Sequence, residues 1–219
     1  MADKSKGRIE AFSDGVFAIA LTLLILEIRP PQLADADNGQ LLAALVELWP
    51  SFLAFALSFF VVLVMWVNHH ELFALARGVD HPCLFANGFL LLMVTFVPFP
   101  TAVLARFLGT EAGRAAAAFY CGTFFMIALA YNLLFLAVAH RRRLVRPEVG
   151  DAELAGVRRA YYLGVFVYAA SVGLSLWDAA AGLGLCAALW LLWVRLNYQS
   201  RRRRGPAPAP EGSEQSPPP

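Results

Sequence analysis

The sequence predicts an all-α polytopic membrane protein, and its composition and its apolar runs carry that prediction. Of the 219 residues, 59% are hydrophobic and 16% are charged, whereas soluble domains average about 25% charged residues. The mean hydropathy is +0.59. These values exclude an ordinary soluble enzyme, and a net charge of only +2 excludes a strongly basic nucleic-acid binder.

Six apolar runs are predicted as transmembrane helices, since about 20 such residues cross the hydrocarbon core of a bilayer. They are Gly15–Ile28, Pro50–Phe73, Cys83–Leu104, Ala115–Ala139, Tyr161–Trp177 and Ala179–Leu196.

The boundaries of these runs carry recognisable signals. The first run has an amphipathic start that reaches back to Arg8, and Pro30 and Pro31 end it because proline cannot continue a helix. Pro98 and Pro100 are expected to kink or end the third helix. The last two runs are too long for one helix, so a hairpin turning near Asp178 is predicted.

The predicted organisation is one six-helix domain over residues 1–198, followed by a basic and then proline-rich cytoplasmic tail at 199–219. Gly205–Pro219 is rich in proline and has almost no large apolar residue, which predicts disorder.

Arginine and lysine placement predicts the orientation. With the N-terminus inside, only Arg29, Arg106 and Arg114 of the 18 basic residues fall on the outer side. Both termini are therefore predicted to be cytoplasmic. The high content of alanine, glycine and arginine favours a bacterial source, and hence a bacterial inner membrane.

Polar residues in the predicted helices fall at similar depth near the cytoplasmic side. They are Asp14, His69, His70, Asn87, Tyr131 and Asn132. Buried polar groups in a membrane need partners, so these residues predict a hydrogen-bonded belt between helices. Arg8 and Asp14 lie about 120° apart on one helix and are poor partners for each other, so the helix-two histidines are the candidate partners of Asp14. The alternative is that Ser13 or Asp14 caps a helix beginning at Gly15.

Neither a metal site nor a catalytic site is predicted. His69 and His70 are adjacent and point about 100° apart on a helix, with no obvious third ligand. Cys83, Cys121 and Cys186 lack metal-ligand spacing and are interpreted as packing residues. No phosphate-binding loop, nucleophile elbow or HExxH motif occurs, so neither an enzyme nor a cofactor is predicted.

A second face of the first helix carries Ile19, Leu23 and Leu26, with Thr22 beside them. This spacing of four and three residues forms one apolar strip. On pattern alone, such a strip indicates a core or lipid contact.

The run from Arg8 to Ile19 reads RIEAFSDGVFAI and contains the pattern Arg-x-x-x-Phe-Ser-Asp. It resembles the first helix of the transmembrane protein 175 family of potassium channels. The resemblance extends over roughly Arg8 to Leu196 and includes six predicted helices and histidines late in helix two.

The resemblance implies a homotetrameric cation channel whose pore is lined by the first helix of each subunit. It implies a constriction at Ile19, Leu23 and Leu26, with Thr22 nearby, acting as a hydrophobic filter and gate in place of a carbonyl filter. The same resemblance implies that Arg8, Phe12, Ser13 and Asp14 pin helix one to its neighbours. Potassium ions, further copies of the chain and membrane lipids are the expected partners, nucleic acid is not, and proton permeation is possible.

Two other functions stay open on the sequence. One is a proton-coupled secondary transporter that uses Asp14 and His70 as a relay, although neither broken midplane helices nor inverted repeats are evident. The other is a membrane scaffold or a membrane-embedded enzyme.

Overall fold

The computed structural model describes residues 2–35 and 37–189, and the regular structure of those residues is helical. Its helices are α1 (Ala2–Leu23), α2 (Asn38–Glu47), α3 (Trp49–Ala74), α4 (His81–Phe96), α5 (Pro98–Phe107), α6 (Gly113–Ala139), α7 (Asp151–Trp177) and α8, described over Ala179–Leu189. Short 3₁₀ turns follow α1 at Leu24–Glu27 and α6 at His140–Arg142. The predicted all-α membrane fold is confirmed.

Five stretches have the length and hydropathy needed to cross a membrane. They are Ser5–Glu27, Trp49–Ala74, His81–Phe107, Gly113–Ala139 and Asp151–Trp177, and they correspond to the first five predicted runs. Helix α8 is the sixth apolar helix. The end of the sixth predicted run, residues 190–196, lies outside the described residues, as do the predicted domain boundary and the tail at 199–219.

The third span is kinked and does not end at its prolines. Helix α4 ends at Phe96, Val97 separates the two helices, and α5 resumes at Pro98. Pro98 and Pro100 lie in the first turn of α5 or beside it, where a missing backbone N–H is tolerated. The sequence left a kink and a stop as alternatives, and the structure selects the kink.

A short helix between the first two spans, α2, was not predicted. Asp37 and Gln40 form a capping box at its start, in which the Gln40 amide donates to Asp37 Oδ1 at 2.7 Å and the Asp37 amide donates to Gln40 Oε1 at 3.1 Å. The spacing Asp-x-x-Gln is a sequence signature of such a start and would have revealed this helix.

Helix α6 occupies the centre of the bundle. It packs against α4, α5 and α7, whereas α1 packs on α3 and α4. The span of α6 is the most buried of the five, and the span of α1 is the least buried. An apolar membrane span that is poorly covered within its own chain meets lipid or another chain on its open side.

Helices α7 and α8 form the predicted hairpin at Asp178. The Asp178 backbone is extended, and its Oδ1 accepts a hydrogen bond from the Ala181 amide at 2.7 Å. Gly182 lies directly against Ser175 of α7, because a Cβ at Gly182 would be 2.7 Å from both the Cα and the N of Ser175.

The loops 75–80 and 140–150 meet at one end of the bundle, which we call the arginine-rich face. Ala76 and Val145 form an isolated antiparallel bridge, in which the Arg77 amide donates to Leu144 O at 2.8 Å and the Arg146 amide donates to Leu75 O at 2.9 Å. The Arg77 guanidinium also donates to the carbonyl of Arg143. The opposite end, with residues 28–35, 108–112 and 178, is the distal face.

Candidate functional site

Helix α1 presents two different faces. Its buried face consists of Ser13, Phe17 and Ala20, and Leu24 of the following 3₁₀ turn continues it; each of these residues is at most 2% exposed. The spacing of four, three and four residues keeps these side chains on one side of a helix. This face joins α1 to α3 and α4.

The strip Ile19, Leu23 and Leu26 lies on a second face, about 100° around the helix from the buried one. These side chains are 59%, 42% and 66% exposed, so no other described part of the same chain covers them. Because α1 ends at Leu23 and a 3₁₀ turn follows, three residues make about one full turn there and Leu26 lies directly beyond Leu23. Ile19 is offset from Leu23 by only about 40°. The strip is therefore continuous and open.

Thr22 lies on the same open face. Its hydroxyl donates to the carbonyl of Ile19 at 2.9 Å, a bond typical of threonine within a helix. Because the hydroxyl proton is used in this bond, the Thr22 oxygen can act towards any further partner only as an acceptor.

A polar network joins three helices at the middle of α1. Asn87 Nδ2 of α4 donates to Ser13 Oγ of α1 at 3.1 Å, and Asn87 Oδ1 lies 2.8 Å from His69 Nε2 of α3. Since the amide oxygen can only accept, Nε2 of His69 carries a proton in this arrangement. All three side chains are buried.

Aromatic rings hold His69 in this orientation. Its ring stacks on Phe73 with a centroid distance of 4.5 Å, and Phe17 of α1 lies 5.5 Å away on a tilted ring plane. The histidine is thus a fixed hydrogen-bond donor in a packed apolar shell.

Asp14 bonds Trp66 and not a histidine. Trp66 Nε1 donates to Asp14 Oδ1 at 2.8 Å, so the expected pairing of Asp14 with the helix-two histidines is wrong, although the partner helix is the expected one. Trp66 is four residues before His70 on α3, and this spacing on one helix face is the signal that could have identified it. The cap alternative also fails, because the helix begins at Ala2 and runs through Ser13 and Asp14.

Arg8, Phe12 and His70 are not part of this network within the described residues. All three are exposed, and Phe12 is 66% exposed. Arg8 and Phe12 make no interhelical bond within the described part of this chain, so their role in holding α1 against its neighbours stays a prediction. No hydrogen bond among the described residues joins Asp14 to His70.

Tyr131 and Asn132 of α6 form separate interhelical bonds. Tyr131 Oη donates to the Met65 carbonyl of α3 at 2.5 Å. Asn132 Nδ2 donates to the Ala128 and Tyr161 carbonyls, which ties α6 to α7. These bonds satisfy polar groups that would otherwise be costly in an apolar core.

A second polar cluster, which the sequence reading missed, lies between α3, α5 and α6. Thr101 Oγ1 donates to the Val97 carbonyl at 2.8 Å, and Ser58 Oγ lies 2.7 Å from Thr101 Oγ1 and 3.0 Å from Tyr120 Oη. In the sequence, this cluster is visible as single hydroxyl-bearing residues, Ser58, Thr101 and Tyr120, within three apolar runs. Hydroxyls are common in soluble and membrane helices alike, so that signal is weak.

Within the described residues, no group of three His, Cys, Asp or Glu side chains is placed to hold a metal ion. Cys83, Cys121 and Cys186 are buried and free. Cys121 accepts a hydrogen bond from Ser175 Oγ at 3.4 Å, which places it in the packing between α6 and α7.

Comparison with known proteins identifies the family. Residues 8–98 match the family model described as endosomal/lysosomal potassium channel TMEM175. A potassium channel of Chamaesiphon minutus is 45% identical over 183 residues, which are 84% of this chain and 90% of that protein. The chain belongs to the TMEM175 family. The resemblance drawn from Arg8–Ile19 is thereby confirmed.

The TMEM175 fold is shared over nearly the whole described chain. The crystal structure of a lysosomal potassium-selective channel TMEM175 homolog from Chamaesiphon minutus matches with a TM-score of 0.80 at 42% identity, covering 88% of this chain and 98% of that one. An animal TMEM175 protein, the endosomal/lysosomal proton channel of Bos taurus, is 44% identical over 100 residues, which are 43% of this chain and 21% of that protein.

Proposed function

We propose that this chain forms a potassium-permeable cation channel in which α1 of four identical subunits lines a central pore. The observation that carries the proposal is the open strip of Ile19, Leu23 and Leu26 on the span that its own chain covers least. The related proteins named potassium channel and the matching potassium-selective channel structure support it.

Closed rotational symmetry explains how the strip is covered. Four copies around one axis bring four equivalent strips together and close the assembly without a free edge. The side chains of Ile19, Leu23 and Leu26 then narrow the pore in rings. Ions shed part of their hydration shell to pass, and the pore closes when the rings dewet.

Potassium permeates in preference to sodium in this scheme because it loses its water at lower free-energy cost. Thr22 adds hydroxyl oxygens on the open face, and their protons are already bonded to the Ile19 carbonyls. An oxygen whose proton is already bonded offers its lone pairs to a cation. The partial similarity to an animal protein named as a proton channel supports proton permeation as well.

The arginine-rich face is proposed to lie in the cytoplasm of a bacterial cell, with the chain in the inner membrane. The positive-inside rule supports this orientation, because Arg77, Arg142, Arg143 and Arg146 all belong to that face.

Ile19→Asn tests the constriction. The purified assembly is reconstituted into liposomes, and potassium flux is compared with sodium flux under equal gradients. Asparagine wets the Ile19 ring, so sodium permeability rises relative to that of potassium. Ile25→Asn is the matched control, because Ile25 is also exposed but lies about 120° around the 3₁₀ turn from Leu23 and Leu26. Equal selectivity in the native protein and Ile19→Asn contradicts the proposed filter.

Asp14→Asn separates a channel from a proton-coupled transporter. Asparagine keeps an oxygen that can accept from Trp66 Nε1, yet it cannot bind or release a proton. A channel retains most of its flux in this variant, whereas a transporter that uses Asp14 as a relay loses it. Asp14→Leu, which removes the acceptor, is the control for loss of assembly.

A further inference from the structure

A cleft opens between the ends of α6 and α7 at the arginine-rich face. Its volume is about 650 Å³, and its lining residues are Phe135, Leu136, Ala139, His140, Asp151, Leu154, Ala155 and Arg158. On α7 these residues follow the spacing of three and four that marks one helix face. The cleft is thus built from two facing helix surfaces, and it is separate from the strip on α1.

The floor and the rim of the cleft differ in chemistry. The floor is apolar and consists of Phe135, Leu136 and Ala139 of α6 and Leu154 and Ala155 of α7. Leu136 is 47% exposed. The rim carries His140, Arg158 and Asp151. Asp151 is neutralised by Arg142, whose guanidinium bonds both the Asp151 carboxylate and the Val149 carbonyl. The positive charge of the rim therefore comes from Arg158.

Arg158 lies at the depth of the membrane boundary. Trp177, 84% exposed, ends α7 at the distal face, where aromatic residues mark the interface. Arg158 is about 19 residues earlier, or about 28 Å along the helix, which matches the thickness of the hydrocarbon core. Among the described residues, Arg158 takes part in no ion pair. An unpaired guanidinium beside an apolar floor at this depth fits a lipid phosphate above an acyl chain.

We propose that this cleft binds an anionic phospholipid, with its phosphate at Arg158 and the first methylenes of its acyl chain against Leu136 and Leu154. Charge complementarity selects this occupant. The chain's own C-terminal segment carries Arg201–Arg204, so its charge has the same sign as the rim. The proposal does not depend on the pore and holds for any oligomer that leaves this surface facing lipid.

The test measures how much phosphatidylglycerol raises the unfolding temperature of the protein in detergent, relative to phosphatidylcholine. Each variant is compared with its own lipid-free sample, so intrinsic stability changes cancel. The native protein is expected to gain more from phosphatidylglycerol, and Arg158→Ala is expected to lose most of that gain. Arg159→Ala is the matched control, because it removes the same charge from the next residue, which does not line the cleft.

A second variant separates the cleft from general surface attraction. Ala155→Phe fills the cleft without changing charge, and it is expected to reduce the gain and the number of phosphatidylglycerol molecules retained in native mass spectra. Equal losses in Arg158→Ala and Arg159→Ala, or a full gain in Ala155→Phe, overturn the proposal. An equal gain with inorganic phosphate also overturns it, since the acyl chain then contributes nothing.

Discussion

Asn87 is the residue on which the network of α1, α3 and α4 depends. Its side-chain amide donates to Ser13 through Nδ2 and accepts from His69 through Oδ1 at the same time, so one side chain joins two other helices. Interhelical hydrogen bonds in membrane proteins contribute only about 0.6 kcal/mol each on average. Leaving their partners buried and unpaired costs more, about 1–3 kcal/mol.

Asn87→Ala is expected to lower the free energy of unfolding by about 1–3 kcal/mol, because Ser13 Oγ and the His69 N–H lose their partner. Unfolding of the purified protein in a mild denaturing detergent measures this change. Gly88→Ala is the control, since a Cβ at Gly88 meets nothing within 4 Å.

The double variant Ser13→Ala/Asn87→Ala isolates the bond itself. It is expected to cost less than the sum of the two single changes, because each single change already breaks the same bond. Strict additivity would mean that Ser13 and Asn87 do not interact in the folded protein.

The α7–α8 hairpin depends on a close approach between the backbones of its two helices. Gly182 faces the backbone of Ser175, so the two helices touch where no side chain separates them. Such small-residue contacts are a common way for helices to pack in membranes, where lipid is as apolar as the helix surface. Ser175 also bonds Cys121 of α6, so the hairpin contacts α6 at the height where Gly182 meets Ser175.

Gly182→Ala is expected to destabilise the protein by about 1–3 kcal/mol through overpacking. The added Cβ would lie 2.7 Å from two backbone atoms of Ser175, and backbone cannot rotate away as a side chain can. Thermal unfolding measured beside Gly184→Ala tests this, because Gly184 lies on the same helix with open space around its Cα. Identical unfolding temperatures for the two variants would contradict the close approach.

At the scale of the whole molecule, charge is distributed unevenly between the two ends. The arginine-rich face holds two paired loops with several guanidinium groups, two of which are bonded to backbone carbonyls of the opposite loop. The distal face has the short helix α2 and the α7–α8 turn. This asymmetry orients the bundle in a membrane and also provides the cationic rim of the α6–α7 cleft.

Cysteine labelling in intact cells tests the orientation. Asn38→Cys, on the distal face, is expected to react with a membrane-impermeant maleimide, whereas Ala152→Cys, at the start of α7, is expected to react only after permeabilisation. The native Cys83, Cys121 and Cys186 are buried, so background labelling is low. Reversed labelling of the two positions would place the arginine-rich face outside.

Much of the fold could be predicted from the sequence because hydropathy is a local property. An apolar run of about 20 residues needs a membrane wherever its neighbours lie, so the spans could be identified one by one. The same holds for the strip Ile19, Leu23 and Leu26, since its spacing lies within one helix. The kink at Val97 was only one of two interpretations, because proline removes a backbone hydrogen bond without deciding whether the helix resumes beyond it.

The pairing of polar groups was decided by tertiary structure alone. The sequence by itself determined that Asp14 needed a partner on another helix, but whether Trp66 or a histidine supplied it depended on the rotation and depth of α3 against α1. The Ser58, Thr101 and Tyr120 cluster and the α6–α7 cleft arise in the same way, from the packing of separate helices. Sequence periodicity determines which face of a helix is apolar, whereas only packing determines which neighbour that face contacts.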